Sequence, residues 1–242
     1  MVTEAASPGP GAEPTRPVAT EEREALAGAV RDLMAETVAT KAPPEDLAAA
    51  AAAVSGLVAG LRRAAAANVS ASGERFGERA GSPAASGTTM ADFMPYDVII
   101  GRSNPVAPPV RIEFEPPTAI GRAFFGAQYT GAPGCVHGAV IAGVFDVVLT
   151  AANVLSDAAG PTRSLTVRYL KPTLLDVESV FEAQVTATDG RRTTSSGRLI
   201  QDGVVVAEAE GEFAVMDRSR IAAMHRRGSG NRSGPDPAPE PT

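Results

Sequence analysis

The sequence predicts an α+β fold in which one long apolar helix is wrapped by a curved antiparallel sheet. Three observations carry this. Within residues 131–157, Val140, Ile141, Val144, Phe145, Val148, Leu149 and Ala152 recur at three- and four-residue steps, the helical period. Ala142, Val147 and Ala151 leave the opposite side apolar as well, so the helix needs cover all round. Alternating segments then follow, punctuated by Asp189-Gly190 and Asp202-Gly203, both hairpin signals.

In chain order, residues 1–19 are rich in Pro, Gly, Ala and Glu and are expected to be disordered. They lack a basic start and an apolar core, so no signal peptide is expected. Thr20 is placed to cap a helix whose first turn carries Glu21 and Glu22, acids that favour the positive end of the helix dipole. Leu26, Val30, Leu33, Met34 and Val38 give it one apolar stripe. Pro43 and Pro44 end it, and Glu45 opens a second helix through Leu47, Val54, Leu57, Val58 and Leu61. Residues 20–67 thus read as a helical hairpin, suited to packing on the following domain or on a partner. Residues 68–94 read as a linker, Gly- and Ser-rich over most of its length.

The domain proper is expected over residues 95–217. Its lead-in, 95–109, is irregular apart from a short strand at Val98 to Ile100. Two strands, 110–115 and 121–129, are joined by a turn at Pro116-Pro117. After the long helix, Leu165, Val167 and Tyr169 share one strand face, and Val177, Ser179, Phe181, Ala183 and Val185 another. Residues 193–200 and 204–215 complete four strands. Residues 218–242 read as a disordered tail, with His225 a solvated residue in a basic run.

Composition excludes several classes. A formal charge of −6, no Trp and three Tyr argue against a nucleic-acid partner. The single Cys135 excludes an internal disulfide framework, and with two His it makes a zinc site of those ligands improbable. The 47–61 segment is too short and too weakly hydrophobic for a membrane span, so a cytoplasmic protein without one is expected.

The chemistry concentrates at the long helix. Gly131, Pro133 and Gly134 form a turn before it, and Gly138 leaves its first turn without a side chain, so backbone N–H groups stay open to a ligand. Asp146 is the one carboxylate inside the apolar stretch. Burial there costs stability unless partners are supplied, and such a carboxylate suits a catalytic base or nucleophile. Eight residues separate Gly138 from Asp146, about 12 Å along the axis and about 80° around it. The two cannot meet on one small reacting group within one chain, so joint action requires two copies of the helix side by side.

His137-Gly138-Ala139 followed by Asp146 resembles the HGG-x6-D motif of hotdog-fold acyl-CoA thioesterases of the phenylacetate-pathway (PaaI-like) type. Residues 165–172, LTVRYLKP, resemble the strand that follows the hotdog helix in the same family. The resemblance spans about half the chain and implies hydrolysis of acyl-CoA thioesters by a homodimer or dimer of dimers. No cofactor is implied beyond coenzyme A as part of the substrate. The amide of Gly138 would polarise the thioester carbonyl, with that of Ala139 as a second donor, and Asp146 of the other subunit would attack or activate water. Thr162 stands where a water-orienting hydroxyl is found in some members. The sequence departs from the motif twice: Ala139 replaces the second glycine, and Gly131 stands where some members carry an Asn.

Several other residues have plainer readings beside a functional one. His137 could act as a catalytic acid, but the resemblance suggests that it shapes the start of the helix. Cys135 with His137 could form a nucleophile and base, although a small buried Cys needs no special account. Arg163, Arg168, Lys171, Arg191 and Arg192 could meet the phosphates of coenzyme A, since arginine offers phosphate a planar fork; surface charge is the plain reading. The alternative to an enzyme is a non-catalytic hotdog protein that binds an acyl thioester or serves assembly, a reading favoured by Ala139 and Gly131. A hotdog dehydratase fits poorly, because no His follows His137 before the tail.

Overall fold

The computed structural model describes residues 20–67 and 90–215. The expected disordered ends, 1–19 and 218–242, and most of the expected linker lie outside the described residues. Helices α1 (Thr20–Ala39) and α2 (Pro44–Ala67) come first, then a short helix α3 (Met90–Phe93). Strands β1 (Arg111–Glu115) and β2 (Thr118–Ala123) and a 3-10 turn (Ala127–Tyr129) precede the long helix α4 (Gly138–Leu155). Four strands follow: β3 (Thr162–Tyr169), β4 (Ser179–Thr188), β5 (Arg192–Gln201) and β6 (Val204–Ala214). They form one six-stranded sheet in the order β1-β2-β4-β5-β6-β3, and every neighbouring pair is antiparallel. This is the hotdog fold, with α4 as the filling.

Burial follows the periodicities. Ile141, Val144, Phe145, Val148, Leu149 and Ala152 of α4 are buried against Phe181, Leu199, Ala207 and Phe213 of the sheet. Rings meet edge to face, Phe145 on Phe181 at 5.1 Å and Phe125 on Tyr129 at 6.0 Å between centroids. Gly121 of β2 lets α4 close in, because a Cβ there would stand 2.8 Å from Val148 Cγ2. The two Asp-Gly pairs make the expected hairpins, and Gly190 and Gly203 take positive φ at their turns.

Three expectations are corrected. Val98 to Ile100 is no strand: Asp97 Oδ1 accepts from the N–H groups of Ile99 at 2.8 Å and Ile100 at 3.0 Å, winding the segment into turns. The second strand begins at Thr118 and stops at Ala123, short of Tyr129. Beyond it the chain winds into the 3-10 turn, with Phe125 and Tyr129 both turned into the core. Met90 and Ala91, expected in the linker, are buried, so the packed domain begins at α3.

The two leading helices form, but they do not pack lengthwise on each other. α1 spends its inner side on the domain: Ala27 is buried, and Arg31 donates to the carbonyls of Ala107 at 2.9 Å and Asn104 at 3.1 Å. α2 runs on from the proline pair with Leu47, Leu57, Val58 and Leu61 exposed. By length and composition two described helices could cross a membrane, Pro44–Ala64 and Gly138–Leu155, where none was expected. The second is the core helix α4.

Candidate active site

The head of α4 is built by a stapled loop. Thr130 bridges Val136 and Cys135 bridges Leu174, while Val136 N–H donates to the Thr173 carbonyl at 2.8 Å and Leu175 N–H to that of Gly134 at 3.1 Å. Gln201, buried at the end of β5, clamps this staple. Its Oε1 accepts from Leu174 N–H at 2.8 Å, and its Nε2 donates to the Leu174 carbonyl and to Ser179 Oγ, both at 2.9 Å. Gly131 is required by the loop itself, since a Cβ there would lie 2.7 Å from His137 Cα. A side chain such as Asn at that position would force the loop to move.

His137 is the N-cap of α4. It has extended backbone, and its Nδ1 accepts from Ala139 N–H at 3.0 Å. That bond occupies the Ala139 amide, so the second donor entertained for the oxyanion is already engaged. The Gly138 N–H has no acceptor among the described residues. Tyr169, at the far end of β3, reaches over this point and donates to the Gly138 carbonyl at 2.8 Å. A Cβ on Gly138 would meet Tyr169 Oη at 3.1 Å. Partial burial of Tyr169 pushes its phenol above the usual range, so the hydroxyl keeps its proton at neutral pH.

Asp146 sits two turns further along α4. It is half-buried rather than enclosed, because it lies on the flank of the helix turned toward the edge strand β3. Its Oδ1 accepts from Thr162 Oγ1 at 2.7 Å. A β-bulge makes this possible: Thr162 pairs with Phe213 and Ser164 with Glu212, leaving Arg163 as the extra residue. The added residue turns Thr162 to the inner face together with Leu165 and Val167, where strict alternation would have sent it outward.

The remaining expected residues fall elsewhere. Arg163 is exposed at the bulge, next to Thr162. Arg168 lies on the outer face of the sheet, in a row across β4, β5, β6 and β3 that alternates in sign: Glu182, Arg198, Glu208, Arg168. Arg198 Nε stands 2.8 Å from Glu182, and Arg168 4.0 Å from Glu208. A concavity of about 740 Å³ lies on that outer face, lined by Thr166, Arg168, Glu182 and Arg198 among others, and touches neither Gly138 nor Asp146. Among the described residues no three His, Cys, Asp or Glu cluster to hold a metal ion.

Sequence reasoning missed Tyr169 and Gln201. In the sequence Tyr169 is one residue of an alternating strand, and nothing local shows that its hydroxyl reaches back 31 residues to Gly138. Gln201 did offer a signal: it is a polar residue next to the Asp202-Gly203 hairpin, at the end of a strand whose Leu199 faces the core.

Residues 133–208, which hold the stapled loop, α4 and most of the strands that follow, match the family model described as thioesterase superfamily. The match covers 76 of the 242 residues. A solved structure described as a thioesterase superfamily protein is similar at 27% identity and a TM-score of 0.67, over 79% of this chain and 94% of that one. That share of this chain exceeds what residues 68–242 alone could supply, so the likeness reaches into the segment that carries α1 and α2. The PaaI protein of the E. coli phenylacetic acid degradation operon is similar at 16% identity and a TM-score of 0.42, over 45% of this chain and 80% of that one. Zebra fish thioesterase superfamily member 2 is similar at 18% and 0.42, over 44% and 81%. No curated protein sequence matches significantly.

Proposed function

We propose that this thioesterase-superfamily domain hydrolyses acyl thioesters of coenzyme A, in an active site completed by two copies of the chain. The observation that carries the reading is the pair of unspent groups on α4: the open Gly138 N–H at its head and the Thr162-held Asp146 carboxylate on its flank. Thioester hydrolysis needs one donor for the oxygen that becomes an oxyanion and one acid or base to deliver water. Gly138 supplies the donor at the positive end of the helix dipole. Asp146 of a second copy supplies the base, or attacks the carbonyl carbon itself and passes the acyl group to water. In the first case, water adds to the carbonyl as Asp146 takes its proton, and collapse of the intermediate expels the coenzyme A thiolate.

Two features support a two-fold assembly. Gly138 and Asp146 are about 12 Å apart along one helix, and the concavity on the outer face of the sheet touches neither of them. β3 is also an open edge of the sheet, exposed along most of its length, and an unpaired edge is a ready surface for a second strand. In this reading Arg163, exposed at the bulge beside Thr162, would meet a coenzyme A phosphate. Arg168 serves the outer charge row instead.

Thiol release across short, medium, long and aryl acyl-CoAs tests the reading. Asp146→Asn should lower turnover by roughly 10²-fold or more, the range for loss of a general base, with the circular dichroism spectrum unchanged. Undiminished turnover would sink the assignment. A second reading, an acyl-thioester-binding protein without catalysis, is favoured by the engaged Ala139 amide; saturable coenzyme A binding with no thiol release from any substrate would support it.

A further inference from the structure

We propose that α2 is an assembly helix that pairs antiparallel with α2 of a second copy of this chain. The pairing is independent of the catalytic assembly argued above. Leu47, Val54 and Leu61 recur every seven residues, and Leu57 and Val58 fall between them on the same side, which is the seam of a helix built to meet another helix. In the described chain α2 makes no extended packing with another element, and most of this seam lies open. Leu57 is 69% exposed and Leu61 54%, and the rest of the helix surface is mainly Ala, Ser and Gly. A contiguous exposed stripe of large aliphatic side chains marks an interaction surface.

Charge selects the partner and its direction. The first turn of α2 carries Glu45 and Asp46, and its far end carries Arg62 and Arg63. All four are exposed, with no charged residue between them along the helix. A parallel pair would stack acid on acid and arginine on arginine. An antiparallel pair sets each acidic end beside the other copy's basic end and opposes the two helix dipoles. Val54 lies midway between Leu47 and Leu61, so reversing the direction brings apolar residues to apolar residues. Such a self-complementary patch closes on itself as a two-fold dimer. The seam is also narrow for lipid: a bilayer solvates the whole circumference, and most of this helix offers it only methyl groups.

The test uses two co-expressed full-length chains with different tags, one carrying Leu47→Cys and the other Leu61→Cys, oxidised under mild conditions. A mixed-tag disulfide dimer is expected, absent from the wild-type chain, whose Cys135 serves as the control. Reversing one chain's acidic end with Glu45→Arg and Asp46→Arg should cut the yield severalfold, and Arg62→Glu with Arg63→Glu in the other chain should restore it. Links confined to like-tagged chains, or no link at all, overturn the proposal. So does flotation of the wild-type chain with phosphatidylcholine–phosphatidylglycerol vesicles, lost in Leu57→Asp with Leu61→Asp, since that assigns the stripe to lipid. Both cysteine positions lie outside the hotdog domain, so an unchanged melting midpoint separates a failed pairing from a failed fold.

Discussion

Thr162 Oγ1 donates to Asp146 Oδ1 at 2.7 Å, across the gap between the edge strand β3 and the flank of α4. The bond fixes one carboxylate oxygen and leaves the other for chemistry. Thr162→Val keeps the shape and removes the donor. Turnover of acyl-CoA should fall roughly tenfold, and stability by about 1 kcal/mol, while Thr162→Ser retains most of both. Equal thiol-release rates in the Val and Ser variants would mean that the bond has no part in the reaction.

Gly138→Ala places a methyl 3.1 Å from Tyr169 Oη, at the amide proposed to hold the thioester oxygen. A misplacement there should lower kcat/KM by roughly 10²-fold. Tyr169→Phe in the same chain removes the hydroxyl that the methyl meets and should recover part of the loss. Steady-state thiol release of the single and double variants measures the coupling.

Gln201→Ala removes the clamp on residue 174 and leaves buried polar groups without their partner. A loss of roughly 1–3 kcal/mol in urea unfolding is expected. Because the clamp holds the loop that sets the head of α4, thiol release should decline as well.

Gly121→Ala tests how closely α4 lies on the sheet. The added Cβ would stand 2.8 Å from Val148 Cγ2, tighter than a packed core tolerates. Thermal unfolding should show a loss of about 1–3 kcal/mol.

Asp189 caps the β4–β5 hairpin, with Oδ1 accepting from Arg191 N–H at 2.9 Å and Arg192 N–H at 2.7 Å. These backbone donors hold its carboxyl below the usual carboxylate range in the folded chain. Its contribution is therefore present above the unfolded-state value and disappears as pH falls through the lower folded one. Melting midpoints between pH 5 and pH 2 should drop less steeply in Asp189→Asn than in the wild type; identical slopes would remove Asp189 from the account.

Much of this fold was legible because its signals are local. The seven apolar positions of α4 follow the helical period, and both Asp-Gly hairpins stand where the sequence puts them. The lead-in misled because Val98 to Ile100 has a strand's composition, whereas Asp97 reaches two and three residues on to wind it into turns. At the site, Gly138, Asp146 and Thr162 could be singled out in the sequence, but the bond between the last two depends on a register shift against β6. Tyr169 and Gln201 act on residues 31 and 27 positions away, and α2 could not be placed because its hydrophobic stripe says only that something covers it. Ala139 read as a spare donor; only the imidazole of His137, turned back on it, shows that it is taken.

The bulge at Arg163 frees the site from the length of this strand at one point. Deleting that single residue would leave Thr162 opposite Phe213 on the inner face, because Arg163 is the residue that the pairing with β6 skips. Pulling the same strand straight with Arg163 kept would instead turn the threonine to the far side of the sheet, so the kink, and not the arginine side chain, is what anchors the carboxylate.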